Sequence, residues 1–443
     1  MYQNKKVLIL GMARSGVSAA KLLAKYNNDI TITDLKEQDD TLVKELEDLG
    51  IKVLIVDDQE PLINDSWDLV VKNPAIKKTV PAIVKAKELG LKVINEVELA
   101  YKLFPNTAKV ITVTGSNGKT TTTTLIYELM KKISNNVHFC GNMGIPVTSV
   151  VEDIKDNDYV VMEISDHQLT DMYEFKSDVS VMTNLYHVHI DFHDSYEYYM
   201  KMKKRIFNNH TKESIAVLNG ANEDVLNLTN DIPDKKVYFS AIKKCDAYLE
   251  NDAIYYNGEK IIDTKDIKLK GNHNYENIMA AIIVTKLYGI TNEQIKDVLK
   301  EFGGVEHRLE FVKELNGRKI YNDSKSTNNE STIIALKSFN QPTILIMGGL
   351  DRNIPFDPLK QYLTNVKLVV TYGETKNILK DFMEKENIDV HVVDTLNEAV
   401  KDAYDNSSEN DIILLSPACA SWDQFKDFEE RGRVFKEEVE KLR

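Results

Sequence analysis

The chain has 443 residues, a length that predicts about three domains at roughly 150 residues each. Apolar residues make up 42% and charged residues 28%, a composition that excludes a disordered or fibrous chain. The 69 acidic and 56 basic residues give a net charge of −13, which disfavours nucleic acid and anionic membranes as partners. The three cysteines are widely separated, which argues against a disulfide framework or a structural zinc site.

The N-terminal segment resembles the start of a signal peptide, because two lysines precede the apolar run 7–13. Arg14 ends that run early, so we interpret it as the first β-strand of a fold. No other apolar run approaches the roughly 18 residues of a membrane span. We therefore expect a soluble, cytoplasmic protein without a membrane partner.

Short β-branched runs alternate with amphipathic stretches from the N-terminus onward. The predicted buried strands lie at 7–11, 30–34, 53–56, 69–73 and 92–94, and the predicted helices lie near 16–26 and 40–49. This alternation is typical of a parallel α/β sheet.

The turn after the first strand, residues 11–16, resembles a dinucleotide-binding fingerprint. Ala13 replaces the middle glycine that lets the backbone approach a pyrophosphate, so NAD is disfavoured as a ligand. We expect a phosphate-bearing ligand at this helix N-terminus, assisted by Arg14, and a purely structural turn is the alternative.

Two further α/β series follow the first. The predicted central strands are 110–115, 160–165, 179–185 and 214–219, followed by a hairpin over 247–258 that turns at Asn251-Asp252 and by a helix near 274–289. The predicted C-terminal strands are 319–323, 343–349, 368–373, 390–394 and 412–417. Boundaries near residues 96 and 304 give three predicted domains, 1–96, 97–304 and 305–443.

The strongest local motif is the glycine-rich segment 113–120, which lies between an apolar strand and a helix. Backbone N–H groups in such a turn suit phosphate oxygens, Lys119 adds positive charge, and Thr120 offers a hydroxyl to Mg²⁺. Val113 stands where the consensus has its first glycine. A structural turn is the alternative, but strand, turn and helix follow one another as nucleotide binding requires. We predict a nucleoside triphosphate site.

Possible metal ligands follow two strands of the central series. Glu163 ends one strand, and His189 and Asp191 come shortly after another. Because strand ends meet at one edge of a parallel sheet, a carboxylate and an imidazole can converge there on Mg²⁺. A polar loop without metal is the alternative.

Other polar segments have ordinary explanations when each is taken alone. The basic segment 201–205 is typical of a solvated helix face, and 271–277 begins a helix. Segments 307–308 and 323–328 are dense in charge at loop positions. Cys419 has no histidine near it in sequence, so a buried small residue is favoured over a nucleophile.

Together these motifs resemble the Mur ligase family, the ATP-dependent amide-bond ligases of peptidoglycan precursor synthesis. The resemblance covers essentially the whole chain. The matching motifs, in the family's order, are TGSNGKT (114–120), MEIS (162–165), the segment around His189, GNHNYEN (271–277), EHRLE (306–310) and NDSKSTN (322–328). The family implies an α/β fold with an N-terminal Rossmann-like domain, a central P-loop ATPase domain with a mixed sheet, and a C-terminal Rossmann-like domain.

The resemblance implies roles for individual residues in ATP and metal binding. It assigns catalysis to Lys119, His189 and Lys203. It assigns ATP binding to Gly115, Ser116, Asn117, Gly118, Lys119, Thr120, Thr121, Asn277, Arg308 and Asp323. It also implies two Mg²⁺ ions, with the ligands Thr120, Glu163, His189 and Lys203. Lys203 would act as a carbamate, because an ammonium cannot ligate a metal, and Lys201 is a nearby competitor for this modification.

The resemblance also implies two further substrates. The ending LSPACASWDQFKDFEERGRVF (415–435) favours addition of D-glutamate to UDP-N-acetylmuramoyl-L-alanine through an acyl phosphate. The residues implied for the uridine-nucleotide substrate are Arg14, Ser15, Asp34, Lys36, Asn73 and Asn142. Those implied for D-glutamate are Lys325, Thr327, Ser421 and Phe428. The chain departs from the family at Ala75, where glycine is usual, and at Asp166-His167, where a serine and an aromatic residue are usual.

Three alternatives remain at this point. One is another Mur ligase with a different amino-acid substrate, and a second is a P-loop NTPase switch acting on a protein partner. The third is a nicotinamide-dependent oxidoreductase, which Ala13 disfavours. We expect a monomer that binds only small molecules.

Overall fold

Three β-sheets organise the chain in the computed structural model, which describes residues 2–186, 195–352 and 355–443. Two of the sheets lie in the unit Met1–Phe302, and the third lies in the unit Gly303–Arg443. This α/β architecture confirms the predicted fold class, and the domain boundaries stay predictions.

The first sheet has the strand order β3-β2-β1-β4-β5, and all its strands are parallel. Its strands are β1 (Lys6–Leu10), β2 (Asp29–Asp34), β3 (Lys52–Ile55), β4 (Leu69–Lys72) and β5 (Val93–Ile94). The accompanying helices are α1 (Arg14–Ala24), α2 (Asp40–Asp48), α3 (Pro81–Glu88) and α4 (Glu96–Tyr101). The strand order reverses between β1 and β4, which opens a crevice at their carboxyl ends.

The second sheet has the order β14-β13-β12-β11-β10-β9-β6-β8-β7. Its strands are β6 (Lys109–Thr114), β7 (Val137–Gly141), β8 (Tyr159–Glu163), β9 (Val179–Met182), β10 (Ile215–Asn219), β11 (Lys235–Ser240), β12 (Ala247–Glu250), β13 (Ala253–Tyr256) and β14 (Glu259–Asp263). Its helices are α5 (Lys119–Met130), α6 (Val147–Val150), α7 (Asp166–Leu169), α8 (Tyr196–Lys204), α9 (Glu223–Leu228), α10 (Asn272–Lys286) and α11 (Asn292–Glu301). The strands from β7 to β12 pair in parallel, and β12 to β14 form an antiparallel meander.

The predicted hairpin is confirmed as β12 and β13. Asn251 and Asp252 form its turn with φ of 48° and 54°, the left-handed conformation that two-residue hairpin loops favour. The predicted helix near 274–289 is α10, which begins two residues earlier than expected.

The third sheet has the order β15-β16-β20-β17-β18-β19. Its strands are β15 (Glu310–Leu315), β16 (Arg318–Asn322), β17 (Thr343–Gly348), β18 (Val366–Tyr372), β19 (Asp389–Val392) and β20 (Ile412–Leu415). Its helices are α12 (Asn329–Leu336), α13 (Lys376–Lys385), α14 (Leu396–Asp405) and α15 (Phe428–Lys441). The edge strand β15 pairs antiparallel with β16, and the other pairs are parallel. Short 3₁₀ turns lie at Glu60–Leu62, Arg205–Phe207, Thr264–Asp266 and Asp357–Tyr362.

Helices cover the faces of the second sheet. One face packs on α5 and α10 around Ile111, Val113 and Leu125, and its core extends along α10 from Ile278 to Val284. A helix that is apolar on nearly every side must be buried, and α10 fits this rule. Within the described residues, none of the helices combines the length and the apolar character needed to cross a membrane.

Buried ionisable groups connect elements of the first sheet to elements of the second. Lys72 at the end of β4 forms an ion pair of 2.9 Å with Asp171, and both side chains are 1% exposed. Glu96 at the start of α4 accepts hydrogen bonds from the backbone N–H (3.1 Å) and the hydroxyl (3.2 Å) of Thr148. Burial raises the pKa of Glu96 to about 7, although these hydrogen bonds oppose the shift.

Replacing Glu96 with glutamine tests this burial through the pH dependence of stability. The folded chain holds the Glu96 proton more tightly than the unfolded chain, so this stabilisation is present below the ordinary pKa and is lost as pH rises through about 7. The melting temperature of E96Q minus that of the wild type should therefore rise between about pH 5 and about pH 8. Calorimetry at several pH values measures this difference.

The exposed Glu88 on α3 offers a matched control. The E88Q melting temperature should differ from that of the wild type by the same amount at every pH. A flat E96Q difference would contradict the assigned role of Glu96.

Candidate active site

The glycine-rich loop between β6 and α5 fits its surroundings only as glycine at two positions. Gly115 has φ of +143°, and a Cβ there would lie 2.0 Å from Thr183 Oγ1. Gly118 has φ of +80°, and a Cβ there would lie 2.3 Å from Asn277 Oδ1. The loop therefore closes tightly against β9 on one side and α10 on the other, which leaves a backbone cradle of the kind that phosphate requires.

Hydrogen bonds from the chain after β9 hold this loop in place. Ser116 N–H donates to Asn184 O and Asn117 N–H donates to Asn184 Oδ1, each at 2.8 Å. Thr183 Oγ1 donates to Asn117 O at 2.6 Å. Because the N–H groups of Ser116 and Asn117 are used in this way, the N-terminus of α5 is left as the part of the loop suited to an anion.

Lys119 and the threonines after it form that N-terminus. The Lys119 ammonium donates to the carbonyls of Gly115 and Ser116, both at 2.9 Å, and so lies across the loop. Thr120 is 5% exposed and Thr121 is partly exposed in the first turn of α5. The Lys119 ammonium above the loop and the positive end of the α5 dipole both attract phosphate groups to this end of the sheet.

Acidic groups lie at the same edge of the sheet. Glu163 pairs in register with Val113 on the neighbouring strand, so its carboxylate follows β8 where the loop follows β6. Glu163 is 3% exposed and accepts a hydrogen bond of 2.8 Å from Asn142 Nδ2. Carboxylate and hydroxyl oxygens are hard ligands, so Glu163 and Thr120 form a donor set suited to Mg²⁺.

Lys203 enters this edge from α8. Its side chain is fully buried, and its ammonium donates to Asp166 Oδ1 at 3.1 Å and to Thr114 Oγ1 at 3.4 Å. Burial lowers the pKa of Lys203, and the charges of Asp166 and Glu163 oppose that shift. The solvated-face interpretation is therefore wrong for Lys203, whereas Lys201 is exposed.

The predicted ligand His189 lies outside the described residues, as do His187, Asp191 and His193. Their roles stay predictions.

A cavity of about 450 Å³ lies between the first and second sheets of the same unit. Four residues predicted for the uridine-nucleotide substrate line it, namely Arg14, Ser15, Asn73 and Asn142. Asn73 Nδ2 donates to Ser15 Oγ at 3.2 Å, which links the chain after β4 to the start of α1. Ala75 also lines the cavity.

Asp34 and Lys36 are not among the residues that line this cavity. Asp34 Oδ2 accepts a hydrogen bond of 2.7 Å from Met12 N–H, and Oδ1 accepts one of 3.1 Å from Lys36 N–H. Asp34 thus stabilises the glycine turn after β1 through its hydrogen bond from Met12. Its contact with the substrate stays a prediction.

The unit Gly303–Arg443 carries a second, smaller cavity of about 160 Å³. Four predicted residues line it, namely Arg308, Asp323, Lys325 and Thr327. Asp323 accepts hydrogen bonds from Ser416 Oγ (2.8 Å) and Leu309 N–H (3.1 Å). Burial nevertheless raises the pKa of Asp323 to about 6, because desolvation outweighs these bonds.

Arg431 on α15 links two loops of this unit, the first containing Ser324 and the second containing Cys419. It is fully buried and donates to Ser324 Oγ (3.0 Å), Ser324 O (2.8 Å) and Cys419 O (3.0 Å). Ser421 is 2% exposed in the second of these loops, and the Lys325 ammonium lies 5.6 Å from the centre of the Phe428 ring. Neither Ser421 nor Phe428 lines the small cavity.

Burial raises the pKa of the Cys419 thiol to about 11, which agrees with a buried small residue and not with a nucleophile. Glu306, His307 and Glu310 bring three potential metal ligands together. Lys436 Nζ already lies 2.5 Å from Glu306 and 3.0 Å from Glu310, so a cation of the chain itself neutralises that cluster.

Sequence reasoning missed several residues that shape these sites. Asn184 lies inside a predicted strand segment and gave no motif of its own, whereas Arg431 lies inside the C-terminal signature without an assigned role. Asp166 and His167 stood out only as departures from the family, yet Asp166 contacts Lys203 and His167 lines the large cavity.

Comparisons with known proteins agree with this arrangement. The Mur ligase middle domain matches residues 113–285, and the Mur ligase, glutamate ligase domain matches residues 307–419. The UDP-N-acetylmuramoylalanine–D-glutamate ligase of Bacillus cereus (strain G9842) is 44% identical over 445 residues, covering 100% of this chain and 98% of the relative. The enzyme of the same name from Geobacillus kaustophilus (strain HTA426) is 43% identical over 447 residues, covering 100% and 99%.

Solved structures share the fold at low sequence identity. UDP-N-acetylmuramate-alanine ligase MurC from Thermotoga maritima superposes with a TM-score of 0.58 at 21% identity, over 99% of both chains. A pseudomurein peptide ligase type C from Methanothermus fervidus gives a TM-score of 0.56 at 17% identity, over 99% of this chain and 100% of that chain.

The phosphate loop, the acidic sheet edge beside it and the full-length similarity define an ATP-dependent ligase. The chain belongs to the Mur ligase family. The NTPase-switch and oxidoreductase alternatives are therefore set aside in favour of an ATP-dependent ligase.

Replacing Gly118 with alanine tests the phosphate cradle. The new Cβ would lie 2.3 Å from Asn277 Oδ1, so the loop or α10 must shift. We expect ATP affinity to fall by about tenfold or more, and a left-handed alanine to destabilise the chain by roughly 1–2 kcal/mol. Titration with a fluorescent ATP analogue measures the first effect and thermal unfolding the second.

Gly258 gives a matched control, because it has the same φ of +80° and a Cβ added there would meet no atom within 4 Å. G258A should show a similar stability loss with wild-type ATP affinity. Equal ATP affinity in G118A and G258A would contradict the cradle.

Proposed function

We propose that this chain joins D-glutamate to UDP-N-acetylmuramoyl-L-alanine with hydrolysis of ATP to ADP and phosphate, in peptidoglycan precursor synthesis. The observation that carries the proposal is the 44% identity along the whole chain to relatives named for this ligation. The geometry agrees with it, because the large cavity reaches Glu163 through Asn142 at the edge that carries the phosphate loop.

The reaction has two chemical steps. A carboxylate oxygen of the L-alanine residue attacks the γ-phosphorus of ATP, which forms an acyl phosphate and releases ADP. The deprotonated amine of D-glutamate then attacks the acyl carbon, and the tetrahedral intermediate expels inorganic phosphate to leave an amide. Such chemistry requires positioning and charge neutralisation more than covalent participation by the protein.

The proposed ATP contacts are the phosphate loop and three residues that follow it in the chain. Gly115 to Thr121 would hold the phosphates and Asn277 would support the loop, while Arg308 and Asp323 would contact the nucleotide, with Asp323 accepting from ribose hydroxyls. Lys119 would turn from the loop carbonyls toward phosphate oxygen, since a charged acceptor is the stronger partner for an ammonium.

Mg²⁺ would be held by Thr120 and Glu163, together with His189 and a carbamylated Lys203 for a second ion. When bound, Mg²⁺ neutralises phosphate charge and so lowers the barrier to attack by an anion. The burial of Lys203 supports the carbamate assignment, because a lowered pKa raises the fraction of neutral amine that can react with CO₂.

The large cavity would hold the uridine-nucleotide substrate, and D-glutamate would bind beside Lys325 and Thr327. Arg14, Ser15, Asp34, Lys36, Asn73 and Asn142 are proposed for the uridine-nucleotide substrate, and Lys325, Thr327, Ser421 and Phe428 for D-glutamate. We assign residues 1–96, 97–304 and 305–443 to capture of the uridine nucleotide, ATP chemistry and amino-acid delivery. We further propose a cytoplasmic monomer.

An ADP-release assay with defined amino acids tests the proposed function. With ATP, Mg²⁺ and UDP-N-acetylmuramoyl-L-alanine present, ADP release beyond a single turnover should require D-glutamate, because only its amine consumes the acyl phosphate. L-glutamate, L-lysine and meso-diaminopimelate supply the comparison arms.

Turnover with another of these amino acids would assign the chain a different ligation. ATP hydrolysis that continues without either small substrate would contradict the proposed ligation.

Replacing Lys203 with alanine tests the carbamate. We expect the rate to fall by about 10- to 100-fold or more, because a proposed metal ligand is lost, and to recover partly when acetate or formate is added. Steady-state ADP release with and without the short carboxylate measures both effects.

Lys201 is the matched control, because it lies on the same helix with an exposed side chain. K201A should keep wild-type activity and should not respond to carboxylate. Rescue of K201A in place of K203A would move the modification to Lys201.

A further inference from the structure

Two polar side chains connect the elements that contact the phosphate loop on its two sides. Thr183 holds one side of the loop, and on the other side Asn277 of α10 faces Gly118. Asn219, at the end of β10, is 2% exposed, and its Nδ2 donates to Thr183 O and to Glu276 Oε2, each at 3.0 Å. The amide of Asn219 therefore joins the chain after β9 to α10.

The orientation of the Asn219 amide is fixed by a third hydrogen bond. Its Oδ1 accepts from Ala221 N–H at 3.0 Å, two residues further along the chain. An amide nitrogen carries two N–H groups, and here one is directed at Thr183 and the other at Glu276. All the polar atoms of this buried side chain are thus used in holding neighbouring elements.

Glu276 is attached to a further strand end. Its Oε1 accepts a hydrogen bond of 3.4 Å from Ala241 N–H, just after β11. Burial raises the pKa of Glu276, and the hydrogen bonds from Ala241 and Asn219 oppose that shift. A carboxylate that is partly withdrawn from water is costly unless donors hold it, so this position depends on its two partners.

Capping of α10 does not explain Glu276. A carboxylate compensates the helix dipole mainly within the first turn, and α10 begins at Asn272, four residues before Glu276. Glu276 instead fastens α10 to the ends of β10 and β11, one residue before Asn277. The position of Asn277 beside the loop therefore depends on this attachment.

We propose that Asn219 and Glu276 are a positioning pair for ATP, whose hydrogen bond sets the width of the phosphate cradle between Thr183 and α10. Asn219 acts through Thr183, and Glu276 acts through the residue that follows it, Asn277. A cradle held at a fixed width binds phosphate more tightly, because less ordering is required when ATP arrives. This inference rests on the proposed function, from which it takes only the binding of ATP.

Isothermal titration of the full chain with ATP and Mg²⁺ tests the pair. E276A loses both hydrogen bonds and should bind ATP about fivefold to twentyfold more weakly than the wild type. E276Q keeps one acceptor oxygen for two donors, so its affinity should fall by about twofold to fivefold, and it decides the matter if E276A does not fold.

A second ligand distinguishes positioning from a general loss of structure. Both variants should bind UDP-N-acetylmuramoyl-L-alanine, titrated without ATP, within about twofold of the wild type. The reason is that neither Asn219 nor Glu276 is among the described residues that line the large cavity.

An exchange of the two functional groups tests the contact itself. N219D places two carboxylates side by side and should weaken ATP binding by about tenfold or more. In N219D/E276Q the new amide can donate to the new carboxylate, so this variant should bind ATP at least about threefold more tightly than N219D. A double variant that binds no more tightly than N219D would contradict the pair.

The exposed pair of Asn292 and Glu259 supplies a matched control. Asn292 Nδ2 donates to Glu259 Oε1 at 2.6 Å, which joins α11 to β14. E259A removes the same kind of hydrogen bond without touching the phosphate loop or its supports. It should bind ATP like the wild type.

The outcomes separate this inference from the proposed function. A wild type that binds no ATP would overturn both, whereas one that binds ATP but not UDP-N-acetylmuramoyl-L-alanine would overturn the proposed function alone. If the wild type binds both ligands and E276A and E276Q bind ATP equally well, only the positioning role is overturned. Equal weakening of both ligands in these variants would also overturn it, in favour of a general structural role.

Discussion

The parallel pairing of β6 with β8 and β9 is the constraint on which the rest of the site depends. Its register sets Val113 beside Glu163 and Thr114 beside Met182, so the three strands end at the same edge of the sheet. The phosphate loop follows β6, the acidic group ends β8, and Thr183 and Asn184, which fix the loop, follow β9. Because parallel strands all end on the same side, one backbone arrangement brings cation, carboxylate and loop together.

Charge at this edge is balanced locally. Lys203 places one buried cation next to Asp166 and near Glu163, and without it two buried carboxylates would stand together at high energetic cost. Conversion of that cation to a carbamate would reverse its sign, so the proposed modification and metal binding must support each other. The net charge of −13 gives no sign of this, because it sums over the whole surface while the ligands respond to a few buried groups.

Patterns that are local in sequence predicted most of the fold. The β-branched runs of β1, β6 and β20 and the Asn251-Asp252 turn could be recognised because a strand or a two-residue turn is encoded by adjacent residues. Strand β7 has no long apolar run, and the edge strand β15 has no fully buried residue, so neither produced a clear signal. The strand β11 follows a charged stretch and was also missed.

The contacts that complete the sites are distant in sequence, which is why sequence reasoning did not reach them. Asn117 and Asn184 are 67 residues apart, and Arg431 and Ser324 are 107 apart. The glycine-rich motif could be recognised because phosphate binding needs a contiguous turn. The partners of Lys203 could not, because the motif specifies a lysine without saying which carboxylate folds against it.

The L-alanine carboxylate should be phosphorylated before D-glutamate attacks it, and an isotope measurement tests this step directly. UDP-N-acetylmuramoyl-L-alanine labelled with ¹⁸O in that carboxylate would be turned over with ATP and D-glutamate, and the inorganic phosphate examined by ³¹P NMR. We expect one ¹⁸O atom in each phosphate released, because the oxygen that attacked the γ-phosphorus leaves with it. Phosphate that carries no label while amide forms would contradict the acyl-phosphate mechanism.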